Sequence, residues 1–527
     1  MYRLLNILKD GYITNKRISG SGSINSNVGQ AGTLDFFKIW SQTTSGSVPT
    51  IELSRILLKP DLSDLYEMTG SSLDISDPSF KCYLSVKDIY GGQTTPSNFT
   101  ISLLPLTKEW DEGRGSDIKA FRDLDTSNWM TASYSSGTPV EWSISGANGI
   151  GTYPTTAGLD CWDRGNLGLG SISLESKQFF SRGDEDLYVD VTTVVSATIA
   201  GVLPDNGWRL SYSGSLETNE NSYFVKRFAS RHCLDSVLKP KLIVMYDDSL
   251  EDSGNRLLFG QNNTVRTYRE GGGEYFNFFS GSTEITGSNC LKLNLIASKS
   301  YSYTTSSYQQ NFSASISYTT SSFLYYSASF TGSQTSIGGN NKKGFYEASV
   351  NLNPFLTSSL DSFIGTEKSM GFDSYWTSLD GTVLYSSGAF LTFNRIEGKE
   401  SIVSERNFVI NVTNLKNEYV QDSSPCIFKV FVQDYNSELP ALKLPTPRKS
   451  YIFKTIYWRI IKAFSKEVVI PFDDSATKLS SDGVNMYFTL FTKDLEPNEV
   501  YEIEFKIKEN GANYNITNEG FRFKVIA

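Results

Sequence analysis

The stretch LTKEWDEGRG, Leu106 to Gly115, packs Glu109, Asp111 and Glu112 around one tryptophan and two glycines. Asp117, Asp123 and Asp125 follow within a few residues. Carboxylates at this density suggest two chemistries, an oxygen cage for a hard cation or an acid/base pair acting on a sugar. The segment DLDTSNW starts like a calcium loop at Asp123, Asp125 and Ser127. Asn128 stands where an EF-hand needs Gly, and Tyr134 where it needs Glu, so an EF-hand is excluded. Placed directly after the strand FTISLLPL, the loop is expected to plug the sandwich mouth with Trp110 and to be braced by Glu109, Asp111, Glu112 and Arg114; the metal reading that remains is an irregular structural calcium site drawn from Glu109, Asp111, Asp117, Asp123 and Asp125. Glycoside hydrolysis needs two carboxylates facing each other across a bound sugar, roughly 5–10 Å apart. Neighbours on one loop seldom meet that need. Trp110, Trp129, Trp142 and Trp162 are the candidate sugar-stacking faces, since indole rings pack on pyranose faces.

Other catalytic constellations are sparse. His232 is the only histidine and no GxSxG elbow occurs, which disfavours a serine hydrolase. GANGIG, Gly146 to Gly151, has no flanking strand–helix rhythm and reads as a turn rather than a dinucleotide loop. RGD at Arg182–Asp184 reads as a chance turn. The chain is therefore expected to be no enzyme and to carry no cofactor, a structural calcium ion aside.

The elements that would position these residues are strands. Aromatics make up 13% of the 527 residues while charged residues reach only 20%, a balance suited to pleated, half-buried surfaces. The formal net charge of −9 gives no pull on phosphate backbones, so nucleic-acid binding is disfavoured. Cys82, Cys161, Cys233, Cys290 and Cys426 form an odd, widely spaced set that fits neither a disulfide framework nor a zinc module. They read as reduced thiols. The opening MYRLLNILKDGYITNK is broken by Lys9 and Asp10 and does not read as a secretion signal, which points to synthesis in a cytoplasm. The run VVSATIAGVL falls short of the roughly 20 residues a membrane helix needs, so no membrane insertion is expected.

Period-two alternation marks KLIVMY, FSASISY, FRFKVI and above all YEIEFKIK, where Tyr501, Ile503, Phe505 and Ile507 share one face. Glu502, Glu504, Lys506 and Lys508 share the other, which is expected to be wet. Composition shifts near Ser249 and between Arg395 and Asn407 divide the chain into residues 1–249, a Ser/Thr/Tyr-rich section 250–399, and 400–527. In the middle section YTTSS occurs twice, a charged turn is expected at GGNNKKGFYEA, and Phe355, Leu356, Phe363 and Trp376 are expected to anchor a folded sheet.

In the last section LEPNEVY places Tyr501 at the start of the alternating strand. This resembles the tyrosine corner of fibronectin type III and related immunoglobulin-like sandwiches, in which the hydroxyl bonds back to the preceding loop. In the first section four segments stand in order: Ile51–Leu65, Phe99–Gly115, Glu185–Val195 and Gly207–Asp248. Together they resemble the carbohydrate-binding-module-like jelly roll called DNRLRE, found on microbial surface proteins. Pro60 departs from that family's usual Phe, and SRH at Ser230–His232 from its Ser-Arg-Glu. From the residues themselves, Arg231 beside His232 suits a charge-braced turn, and DVTTVVSATIAGV suits a short helix capped at Thr192 or Asp190. The expected fold class is all-β: an N-terminal jelly-roll sandwich and two further β-sandwich domains, the last immunoglobulin-like.

Three concatenated β-sandwiches with unpaired thiols and a Ser/Thr/Tyr/Gly-rich surface resemble virion structural proteins of tailed bacteriophages. The resemblance implies a chain made in the host cytoplasm and located in the virion, at the capsid, neck or tail. Its partners would be other virion proteins in a symmetric homo-oligomer. The alternative is a glycan-binding adhesin or receptor-binding protein that stacks host-surface glycan on the four tryptophans. A depolymerase is the third reading.

Overall fold

A computed structural model describes the chain except residues 19–20, 43–49, 70–72, 90–94, 120–122, 124, 169, 254–256, 272–273, 301–316, 321–322, 338–339, 353–368, 389, 396–407, 435–449, 454, 483–484, 510–511 and 517–519. The described residues are almost all β, with α-helix only at Ser63–Met68 and Thr192–Ile199. They form two compact units, Tyr2–Thr69 with Ile75–Tyr246, and Asp247–Ala527.

The first unit is built on ten strands: β1 (Tyr2–Thr14), β2 (Thr33–Ser41), β3 (Thr50–Pro60), β4 (Lys81–Val86), β5 (Phe99–Pro105), β6 (Ser176–Phe180), β7 (Leu187–Asp190), β8 (Trp208–Tyr212), β9 (Tyr223–Ala229) and β10 (Lys241–Met245). One ladder runs β6-β5-β8-β3-β1 and continues β1-β10-β4-β7, with β2 bridging β3 and β9. Strand β1 belongs to both halves. Its residues 2–6 pair with β10 and residues 7–14 with β3, and the register shifts between Ile7 and Lys9. A bulge of this kind bends a strand and lets it change sheets. Leu8 is turned out to solvent there, while Asp10, two residues on, is fully buried. The opening segment is thus a central strand of a jelly-roll sandwich, which its broken apolar run did not announce. The Thr192–Ile199 helix follows β7 as expected, but its N-cap position is Val191, which has no capping side chain, rather than Thr192 or Asp190; Asp190 Oδ1 accepts the Thr192 N–H at 2.8 Å from just outside the helix.

In the second unit, a sheet holds β11 (Asn263–Tyr268), β12 (Leu291–Ser300), β13 (Phe323–Ile337), β14 (Asn340–Val350), β15 (Ser369–Thr377) and β16 (Leu391–Asn394) in the order β16-β15-β12-β13-β14-β11. Leu291, Leu293, Leu295, Tyr346 and Phe372 fill its core around the fully buried Trp376, as expected of that anchor. Asn340 to Ala348, expected as a charged turn, is strand, with Asn341 and Lys343 exposed and the consecutive Gly344, Phe345 and Tyr346 buried. Phe355, Leu356, Phe363, the first YTTSS and nearly all of FSASISY lie outside the described residues.

The last section pairs two sheets. One runs β17 (Phe408–Val412), β19 (Pro425–Asp434) and β22 (Met486–Phe491); the other runs β18 (Glu418–Val420), β24 (Arg522–Ile526), β23 (Val500–Glu509), β20 (Ile456–Lys462) and β21 (Val468–Ile470). Between them Phe428 stacks on Phe488 and Phe488 on Trp458, forming an aromatic core. Tyr501 is fully buried; its hydroxyl accepts the Glu496 N–H at 2.8 Å and donates to the Glu496 carbonyl at 3.1 Å. The tyrosine corner of an immunoglobulin-like sandwich is present. The expected wet face of YEIEFKIK is not wet at Glu502 and Glu504, which are buried. Glu502 Oε2 takes Lys466 Nζ at 3.0 Å and Arg522 Nε at 2.9 Å, and Glu504 pairs with Arg459. Two cross-strand arginines and one lysine from the β20–β21 turn cover the glutamates.

Candidate functional site

The four tryptophans do not form a sugar platform. Trp110, Trp129, Trp142 and Trp162 are 1%, 8%, 4% and 1% exposed. The first three share a core cluster with Ile13, Leu53, Leu57, Leu104 and Leu106. Burial obliges each indole N–H to find a partner. Trp110 Nε1 donates to the Asn206 carbonyl at 3.1 Å, Trp142 Nε1 to that of Asn128 at 2.9 Å, and Trp162 Nε1 to that of Thr155 at 2.7 Å. Trp129 lies under the Arg55 guanidinium, 5.1 Å from ring to carbon. The expectation that these rings stack glycan is corrected: their apolar area is worth more inside the sandwich than at its surface.

The five carboxylates expected to gather a calcium ion do not converge either. Glu109 is largely exposed and faces Lys9 at 3.4 Å and Lys59 at 3.9 Å. Asp111 Oδ2 accepts the Tyr134 N–H at 3.2 Å. Asp117 Oδ1 caps its own turn through the Lys119 N–H at 2.7 Å. Asp123 Oδ2 accepts the Arg114 N–H at 2.9 Å. Burial and the neighbouring Asp125 carboxyl push Asp123 up, while Asp125, bonded to Asp123 and to its own backbone, is pushed down. These acids serve backbone N–H groups and lysines, one loop segment at a time.

What the loop does build centres on Glu112. Its two carboxylate oxygens take the Arg231 guanidinium side-on, Nε to Oε1 at 2.6 Å and Nη2 to Oε2, and Oε1 also accepts the Asp10 N–H at 2.9 Å. The reading of Arg231 as a charge brace is met here. The glycines let the loop approach: a Cβ on Gly115 would lie 1.7 Å from the Asn27 carbonyl oxygen, so only hydrogen fits. Asn27, itself buried, donates to the Glu112 and Ser127 carbonyls at 2.9 and 2.8 Å and accepts the Gly115 N–H at 2.9 Å.

Asp10 and His232 complete the cluster. Asp10 Oδ2 accepts the Arg231 N–H at 2.5 Å, and His232 Nε2 stands 3.6 Å from Glu112 Oε1. One ligand atom from each of Asp10, Glu112 and His232 can be chosen so that all lie within 4.8 Å of one another, the sole such trio among the described residues. Asp10 Oδ1 and His232 Nε2 are buried atoms with no hydrogen-bond partner. Burial pushes the Asp10 carboxyl up to about 7; the Arg231 N–H and charge pull it down, and the Glu112 charge adds to the rise. Sequence reading had noted Glu112 and Arg231 but not Asp10, whose signal was a carboxylate interrupting an apolar run inside a strand.

No protein-family model matches the chain and no curated protein matches it. Among solved structures, the crystal structure of the titin domains z1z2 in complex with telethonin aligns over 51% of this chain and 89% of that one, at 8% identity and a TM-score of 0.13. A likeness at that level carries no argument.

Proposed function

We propose that the chain is a non-enzymatic structural component of a tailed-phage virion, attached at the capsid, neck or tail, that works by assembling with copies of itself and with other virion proteins. The observation that carries the reading is where the exposed apolar side chains sit. Among the described residues Val409, Val420 and Val468 are all half or nearly half exposed, and each lies on a strand that ends a ladder: β17, β18 and β21 respectively. Phe464, 84% exposed, tips the hairpin that joins β20 to β21. Free edges are normally blunted with charge, because unpaired N–H and C=O groups invite another chain. Apolar edges suit strands that finish their pairing in an assembly. The acidic loop points the same way, since its carboxylates fasten the fold.

Locating and counting the chain in a reconstruction of intact particles tests the reading directly. Symmetric copies on the capsid, neck or tail are the expected result, and absence from particles overturns it. A position at a distal fibre tip, with affinity for host glycan, would instead make it an adhesin. Lysine at Val468 and Val409 is expected to reduce incorporation into particles while leaving the circular-dichroism spectrum of the purified chain unchanged.

A further inference from the structure

We propose that Asp10 Oδ1, Glu112 Oε1 and His232 Nε2 are the protein ligands of a structural transition-metal ion, of the zinc class, that clamps three separate segments of the jelly roll. Asp10 comes from β1 just past its bulge, Glu112 from the loop after β5, and His232 from the turn after β9. Nothing in local sequence would bring these together.

Three observations point to an ion. The first is the pair of orphans: Asp10 is fully buried and its Oδ1 has no hydrogen-bond partner, and neither has the buried His232 Nε2. Two unmet buried polar atoms on members of one cluster are costly unless something joins them. The second is spacing. Two ligands held about 2.0–2.1 Å from a tetrahedral ion sit roughly 3.3 Å apart, and His232 Nε2 lies 3.6 Å from Glu112 Oε1. The third is the support around the ligands. Asp10 Oδ2 is anchored by the Arg231 N–H at 2.5 Å, which leaves Oδ1 to the ion, and Arg231 Nη2 holds Glu112 Oε2. Outer partners that fix ligand orientation in this way are a general feature of metal sites.

The donor set selects the ion. One imidazole and two carboxylates suit zinc, manganese or cobalt, whereas calcium takes six to eight oxygens and has no use for an imidazole. The ion would take the place of the Arg231 Nε bond to Oε1, leaving Arg231 on Oε2, and water would complete the fourth position. Entry is from the side of His232, whose side chain is 27% exposed.

The test uses the full chain, dialysed against a chelator and titrated with zinc chloride in a calorimeter. One ion per chain is expected, with a raised unfolding midpoint. His232→Ala, a change at a partly exposed turn, is expected to weaken zinc binding at least tenfold with the secondary structure intact. Cobalt should give a spectrum without thiolate bands. Failure to bind zinc stoichiometrically, zinc affinity unchanged in His232→Ala, or a thiolate band that places the ion on cysteine would each overturn the proposal.

Discussion

Two glutamates, the partly buried Glu112 in the first unit and the fully buried Glu502 in the last sandwich, are held by the same chemistry with opposite charge balance. At Glu502 one carboxylate meets two cations, Arg522 from the paired strand β24 and Lys466 from the turn between β20 and β21. Against the desolvation that would raise it, the two cations hold its carboxyl below the ordinary range. At Glu112 one guanidinium serves a carboxylate with a second, Asp10, close by, and Asp10 is pushed up. The first arrangement reinforces a ladder that backbone pairing already fixes. The second joins residues 10, 112 and 231 with no ladder between the loops to help, so the side chains set the geometry.

This contrast predicts a ranked series of losses. Glu112→Gln should cost the most, about 3 kcal/mol, because it weakens the hold on Arg231 and on the Asp10 N–H of β1 together; urea unfolding of the full chain, read by tryptophan fluorescence, measures it. Glu502→Gln should cost less, about 1–2 kcal/mol, since Lys466 and Arg522 are half exposed and return to water. If the two substitutions cost the same, the distinction between ladder and loop fails. Tyr501→Phe should cost about 1 kcal/mol through the unpaired Glu496 backbone groups, with the sandwich intact by circular dichroism.

The smallest effect separates hydrogen bonding from ion pairing. Glu185 accepts N–H groups from Ser181, Arg182 and Gly183 at 2.9, 2.9 and 2.6 Å. Desolvation pushes its carboxyl up, but these donors bring it down to about 2 from an ordinary 4.5. A depressed carboxylate stabilises fully above its unfolded value and loses that contribution as pH falls from about 4.5 to about 2. The gap in unfolding midpoint between the native chain and Glu185→Gln should therefore shrink across that window. A gap that stays constant would show that charge is irrelevant at this turn.

The all-β class and the tyrosine corner were legible because both rest on local signals: alternation, aromatic content and a Tyr at a strand's start. The polar side of YEIEFKIK was misjudged because alternation shows which residues face together, not whether a neighbouring strand brings cations to cover them. The tryptophans and the acid loop allowed two readings. Trp110 offered both a ligand face and a core plug, and Glu109 both a metal ligand and a brace; the loop's place directly after the strand FTISLLPL favours plug and brace, and the buried Trp110 and the Glu109–Lys9 pair agree. Asp10 was missed because its partners stand more than 100 and 200 residues away.

Strand β1 sets an order of events during synthesis. Tyr2 to Asn6 pair with Lys241 to Met245, so β1 is made well before β10 and waits for it before that half of its hydrogen bonds can close. Until then its apolar face is open to any other edge nearby. A chain with this wiring is most exposed to wrong partners while it is being made, and crowding many nascent copies together would raise that hazard.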